Sequence, residues 1–166
     1  MMEKTRRPMK PPDSLCMFFR VDDNVFRSSM PHTREEFEFL KAAGVDTIIS
    51  FEPLGLGKLE AQSYGMRVID YPLAEGVLPT KEQVDGFLQL IGEQIKAGHR
   101  VLIHCMAGKE RTGLMAGFYL VRYHEMPPLF AYHEADKKFL GDRQDYKQFL
   151  LEYGTEIMDR HKAQKR

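Results

Sequence analysis

Tryptophan is absent from the 166 residues, cysteine occurs only twice, and basic and acidic side chains cancel at 24 each. With Cys16 and Cys105 as the only thiols, neither a disulfide framework nor a cysteine-rich zinc site can be built, and a reducing compartment is expected. A net charge of zero supplies no overall field to draw the chain onto nucleic acid or an anionic lipid surface. No apolar run approaches the ~20 residues of a membrane-spanning helix, and no apolar stretch follows the basic, proline-bearing start. A cytoplasmic protein without a membrane span is therefore expected. What is present, 43 % hydrophobic residues in a chain of this length, suffices for one domain with a real core and falls short of two. Neither an internal repeat nor a low-complexity segment is visible.

Residues 1–13 combine prolines and basic side chains with little that can be buried, and read as a solvated arm. From Leu15 the pattern changes. LCMFFRV and VFRSS, separated by Asp22-Asp23-Asn24, predict a hairpin. Thr33 to Ala43 places Phe37, Leu40 and Ala43 at helical spacing with Gly44 as a stop, and VDTIISF follows as a buried strand. MRVIDYP is a second such strand. Thr80 caps a long helix with Val84, Phe87, Leu88, Ile91 and Ile95 on one face; Gly98 ends it, and RVLIH is the next strand. Helices are predicted over Thr112–His124, Pro128–Phe139 and Arg143–Arg160, with Gly141 as a break. This alternation predicts a single α/β domain: a mainly parallel sheet of four to five strands with helices on both faces.

Chemistry concentrates in VLIHCMAGKERTGLMAGFYL. Cys105 leaves the C-terminal end of a buried strand, five residues follow, and Arg111-Thr112-Gly113 opens an apolar helix. Met106, Ala107, Gly108, Lys109, Glu110 and Arg111 can curl so that their backbone N–H groups converge, and the helix N-terminus adds partial positive charge. The result is a cradle for a phosphate dianion. Arg111 presents a planar fork to two phosphate oxygens, which lysine cannot do in the same geometry. The same dipole and cation favour a thiolate at Cys105, making it a nucleophile at neutral pH. His104, at the end of an apolar strand, is expected to bond the loop backbone and support the thiolate rather than act as general base. Thr112 reads as the N-cap or N1 residue of that helix. Cys16 is expected in the core, its alternative being a protective disulfide with Cys105.

The stretch from His104 to Gly113, with its preceding strand and following helix, resembles the cysteine-dependent protein tyrosine phosphatases, and VFRSSMP resembles the opening of small atypical dual-specificity members. The likeness extends from about Val25 to Phe149 and makes 14–162 a phosphatase domain. It implies a phosphocysteine at Cys105, later hydrolysed by water, with Arg111 holding the phosphoryl group throughout. It further implies a Thr112 hydroxyl assisting departure of the sulfur. The family's aspartate acid is missing at its usual position; Glu75 occupies it, with Asp70 as second candidate and a strand-end carboxylate as its other reading. Gln148, in a segment similar to one that orients the hydrolytic water, is a further supporting residue.

The expected substrate is a phosphorylated protein, with a phosphoinositide or soluble inositol phosphate second because Lys109 can meet another phosphate. Lys109 and Glu110 otherwise read as a solvated pair. The resemblance implies no cofactor and no metal, and a monomer is expected. A catalytically weak phosphate-binding module and a rhodanese-like sulfur carrier are the competing classes. Retention of both Cys105 and Arg111 argues against the first, and Arg-Thr-Gly opening the helix against the second.

Overall fold

A computed structural model describes residues 10–136 and 143–165. Of the arm expected over 1–13, residues 1–9 lie outside the described residues. The hairpin is shorter than predicted: β1 is only Phe19–Arg20, antiparallel to β2, Val25–Ser28. Residues preceding β1 form turns because Met17 takes φ 55° and the Cys16 carbonyl accepts from Ser29 N at 2.8 Å. This puts Leu15 into the core and Cys16 at the surface, where its Sγ lies 3.8 Å from Asp13 O, so the expectation of a core cysteine is overturned. Both cysteines are free thiols, so the alternative disulfide with Cys105 is not formed. Asp22 Oδ1 closes the hairpin turn by accepting from the backbone N–H groups of Asn24 and Val25.

The remaining elements follow in alternation: α1, Arg34–Ala42; β3, Thr47–Ser50; α2, Gly57–Ser63; β4, Arg67–Asp70; α3, Lys81–Lys96; β5, Val101–His104; α4, Glu110–Tyr123; α5, Pro128–Asp136; α6, Gln144–Gln164. Thr33 caps α1, and Thr80 with Gln83 forms a reciprocal capping box on α3. The helix α2 carries no sequence signal. It starts at Leu56 without a side-chain cap and is held by packing, Ala61 being fully buried. The end predicted for α5 at Phe139 and the break at Gly141 lie outside the described residues.

Strand order is β1-β2-β5-β3-β4, parallel except for β1. Side chains alternate across it. Phe26, Ile48 and Leu102 face the side of α1 and α2, whereas Val25, Ile49 and Ile103 face α3, α4 and α6. With β5 central and covered on both sides, the C-terminal ends of β2, β5 and β3 open onto one crevice, the usual ligand position in such sheets. Among the described residues no helix is long and apolar enough to cross a membrane.

Candidate active site

The loop from Cys105 to Arg111 joins β5 to α4 in that crevice. If its N–H groups converge on an anion, its carbonyls must project into the protein, where each needs a donor. The surroundings supply them. His104 Nδ1 lies 2.9 Å from Cys105 O, Met30 N donates to Met106 O at 3.0 Å, and Arg27 Nη2 donates to Gly108 O at 2.9 Å. Lys109 O accepts from Gly113 N at 2.8 Å, with Arg27 Nη2 at 3.5 Å. Gly108 takes φ +73°, and a Cβ there would stand 2.5 Å from the backbone of Ser28 and Ser29. Only glycine lets the loop lie against the end of β2.

The sequence places the helix start at Thr112, but α4 begins at Glu110 with Lys109 as N-cap. Thr112 is therefore inside the first turn, and neither of its predicted cap positions holds. Unlike α1 and α3, α4 has no side-chain cap, which leaves its first N–H groups to an incoming anion. Cys105 is 3 % exposed and Arg111 5 %. The Thr112 hydroxyl is fully buried and without a hydrogen-bond partner among the described residues, a state that a charge-bearing sulfur or substrate would relieve.

Sequence reasoning missed two residues here. Glu52, two residues past β3, accepts from Arg111 Nη1 at 2.7 Å, while the same nitrogen donates to Leu73 O at 2.9 Å. One side of the guanidinium is thereby anchored. Burial pulls the Arg111 pKa down, but Glu52, Cys105 and Glu75 outweigh it and raise the value, so the fork stays charged. Arg27 is the second, 1 % exposed beneath the loop. Burial lowers its pKa to about 10, opposed by the Cys105 sulfur, and it too is cationic at neutral pH. Glu52 has no motif to reveal it. An arginine inside the apolar-looking VFRSS was the available signal for Arg27.

His104 is fully buried, and burial first of all pushes its pKa to about 4. It is neutral at pH 7 and donates from Nδ1 to Cys105 O, so Nε2 accepts from the Ser50 hydroxyl at 2.6 Å. Its support for the loop runs through backbone orientation, not positive charge.

The candidate acids occupy different settings. Asp70 ends β4, half-exposed, with Lys58 Nζ at 3.5 Å. Glu75 is exposed on the loop between β4 and α3, on the segment whose Leu73 carbonyl receives Arg111. Met106 and Lys109 are exposed on the cradle rim together with Ala107, and Glu110 pairs with Arg143 at 3.5 Å instead of with Lys109. Gln148 is exposed on α6, and its amide donates to Glu152 at 2.8 Å, a helix-surface pair directed along α6 and not to the cradle.

A family profile, Tc-R-P, described as polymorphic toxin system, DSP-PTPase phosphatase, matches residues 24–125. Protein tyrosine phosphatase type IVA 2 of Mus musculus is 27 % identical over 107 residues, 63 % of this chain and 62 % of that protein. Inositol diphosphatase DSP4 of Arabidopsis thaliana is 31 % identical over 108 residues, 60 % of this chain and 52 % of that protein. The chain thus spans between half and two thirds of the length of these relatives. Among solved structures, Tk-PTP in the active form superposes with a TM-score of 0.73 at 25 % identity, over 87 % of this chain and 97 % of that one. The core catalytic domain of PP-IP phosphatase SIW14 from S. cerevisiae superposes with a TM-score of 0.75 at 21 % identity, covering 94 % of each chain, a likeness of fold.

Proposed function

The chain belongs to the DSP-PTPase phosphatases of the cysteine-dependent protein tyrosine phosphatase superfamily, and on that premise we propose that it hydrolyses phosphate monoesters through a phosphocysteine at Cys105. The observation that carries this reading is the uncapped start of α4 above a buried cysteine, with Arg111 anchored through Nη1 alone among the described residues. In the first step the Cys105 thiolate attacks phosphorus, an S–P bond forms and the P–O bond to the leaving group breaks. Arg111 and the loop N–H groups hold the phosphoryl oxygens as charge develops. The departing oxygen takes a proton from the Glu75 carboxyl. In the second step water attacks phosphorus and gives its proton to the Glu75 carboxylate, and Cys105 leaves as thiolate with the Thr112 hydroxyl donating to it. Asp70 is the weaker candidate acid because Lys58 already engages it at the end of a hydrogen-bonded strand. Gln148 has no part in this scheme.

For the substrate we favour a phosphotyrosine-bearing protein. Met106 on the cradle, with Val77 and Leu78 on the Glu75 loop, are exposed apolar side chains suited to an aryl group. An inositol phosphate is the second reading, favoured by one observation: Lys109 stands exposed at the rim, with Glu110 turned to Arg143. The test is hydrolysis of p-nitrophenyl phosphate, then of phosphopeptide and inositol phosphate panels, by the wild type and Cys105→Ser. Loss of turnover with retained phosphate binding is expected in the variant. Steady hydrolysis by it removes the covalent mechanism.

A further inference from the structure

Arg143, the N-cap residue of α6, is absent from the chemistry above, yet it touches both loops of the site. Its Nη2 donates to Gly76 O at 3.1 Å, and its Nη1 lies 3.5 Å from Glu110 Oε2 on the cradle. Nε and Nη2 also donate to the Asp145 carboxylate at 2.9 and 2.8 Å, which sets the plane of the guanidinium. The group lies over the ring of Tyr146, 4.3 Å from its centroid. Tyr146 is itself fully buried, and its hydroxyl donates to Val77 O at 3.2 Å.

Both carbonyls that follow Glu75 are therefore received by the first turn of α6, and the carbonyl two residues before it is received by Arg111. The loop itself has no regular secondary structure between β4 and α3, and Gly76 takes φ +73°. Such a segment keeps one geometry only through pins of this kind. A guanidinium can serve a carbonyl and two carboxylates at once because its five donors lie in a rigid plane; an ammonium cannot hold the three in that relation.

We propose that Arg143 is the positioning residue of the proton donor: it braces the backbone beside Glu75 against Glu110, so that acid and cradle keep a fixed separation. The proposal rests on Glu75 being the acid. Exposed ion pairs contribute little to stability, so the effect of losing Arg143 falls on proton delivery, where a displacement near 1 Å is costly.

The test is a double-variant cycle on phenyl phosphate, a poor leaving group, and 2,4-dinitrophenyl phosphate, a good one. Arg143→Ala is expected to lower kcat for phenyl phosphate by about 10- to 100-fold and to leave the dinitrophenyl ester within about twofold. Added to Glu75→Gln it is expected to cost nothing further, and Arg143→Lys is expected to recover little of the loss. Phosphate affinity and melting temperature check the fold, with Arg143→Gln carried in parallel should the alanine variant fold poorly. Equal loss on both esters, an additive loss in the Glu75→Gln background, or unchanged kinetics overturns the brace. If Glu75→Gln lacks a leaving-group-dependent loss, the acid assignment fails; if only Arg143→Ala lacks it, the acid stands and the brace fails.

Discussion

The cradle from Cys105 to Arg111 and the Glu75 loop touch where Arg111 Nη1 donates to Leu73 O, and both are shaped by donors that seize their carbonyls. They differ in what supplies the donors. Beneath the cradle these are a buried histidine, a buried arginine and strand-end backbone. Around the Glu75 loop they are the buried Arg111 and Tyr146 and, where α6 begins, Arg143, the one of the three that reaches solvent. A buried support holds one geometry whatever the solvent does, whereas a surface support can be altered without disturbing the core. Damage to the first loop should therefore appear with every substrate, and damage to the second only where proton delivery limits the rate.

Arg111→Lys should give the largest effect and the one least sensitive to leaving group. It keeps the charge but loses the fork, and kcat/KM is expected to fall about 10³- to 10⁵-fold on nitrophenyl and phenyl esters alike. Near-normal kinetics would remove Arg111 from the site. On the other side of the contrast, Glu75→Gln is expected to lower kcat by ~10² to 10⁴ for phenyl phosphate and much less for a dinitrophenyl ester, with the basic limb of the pH profile flattened. Asp70→Asn, measured beside it, should leave the leaving-group dependence unchanged. The reverse pattern would transfer the acid role to Asp70.

Gly108→Ala sharpens the contrast from the side of stability. Its Cβ would meet backbone at the end of β2 and would also impose a left-handed conformation on alanine, so a loss of about 2–4 kcal/mol is expected in urea unfolding. Gly76, also at positive φ but with only the tip of Arg143 at 3.9 Å, has room for the same change and should lose less. The effect that is smallest at neutral pH is the pH response of His104, which appears only on acidification. Its folded pKa near 4 lies below the ordinary 6.5, so the unfolded state binds more protons between those values, and stability falls as pH is lowered through that window. The contribution is fully present above about pH 6.5, and its loss reaches about 3 kcal/mol by pH 4. Unfolding free energies at a series of pH values should show that slope in the wild type and a shallower one in His104→Asn. Parallel slopes would mean that His104 titrates normally.

Much of this was legible along the chain, for identifiable reasons. Buried parallel strands are continuous apolar runs, so TIIS and VLIH are recognisable without a partner, and the threonine caps of α1 and α3 are local chemistry. The span from Cys105 to Arg111 is equally local, because nucleophile, glycine and arginine must share one short loop. Where local reading misled, a distant contact had overridden it. Ser29 draws the Cys16 backbone out of an extended strand, and packing holds α2 without a cap.

The sequence by itself determined the class of sheet, the positions of its parallel strands along the chain and the residues of the Cys105–Arg111 loop, since each depends on neighbours within a few positions. Only the tertiary structure decided that Glu52 anchors Arg111, that Arg27 lies beneath the loop, and that α6 reaches the Glu75 loop through Arg143 and Tyr146. These contacts join residues 59, 81, 67 and 69 positions apart, respectively. No periodicity or spacing encodes such pairs; they exist because a five-stranded sheet brings the ends of β2, β3 and β5 to one edge, where buried carbonyls and charges require partners.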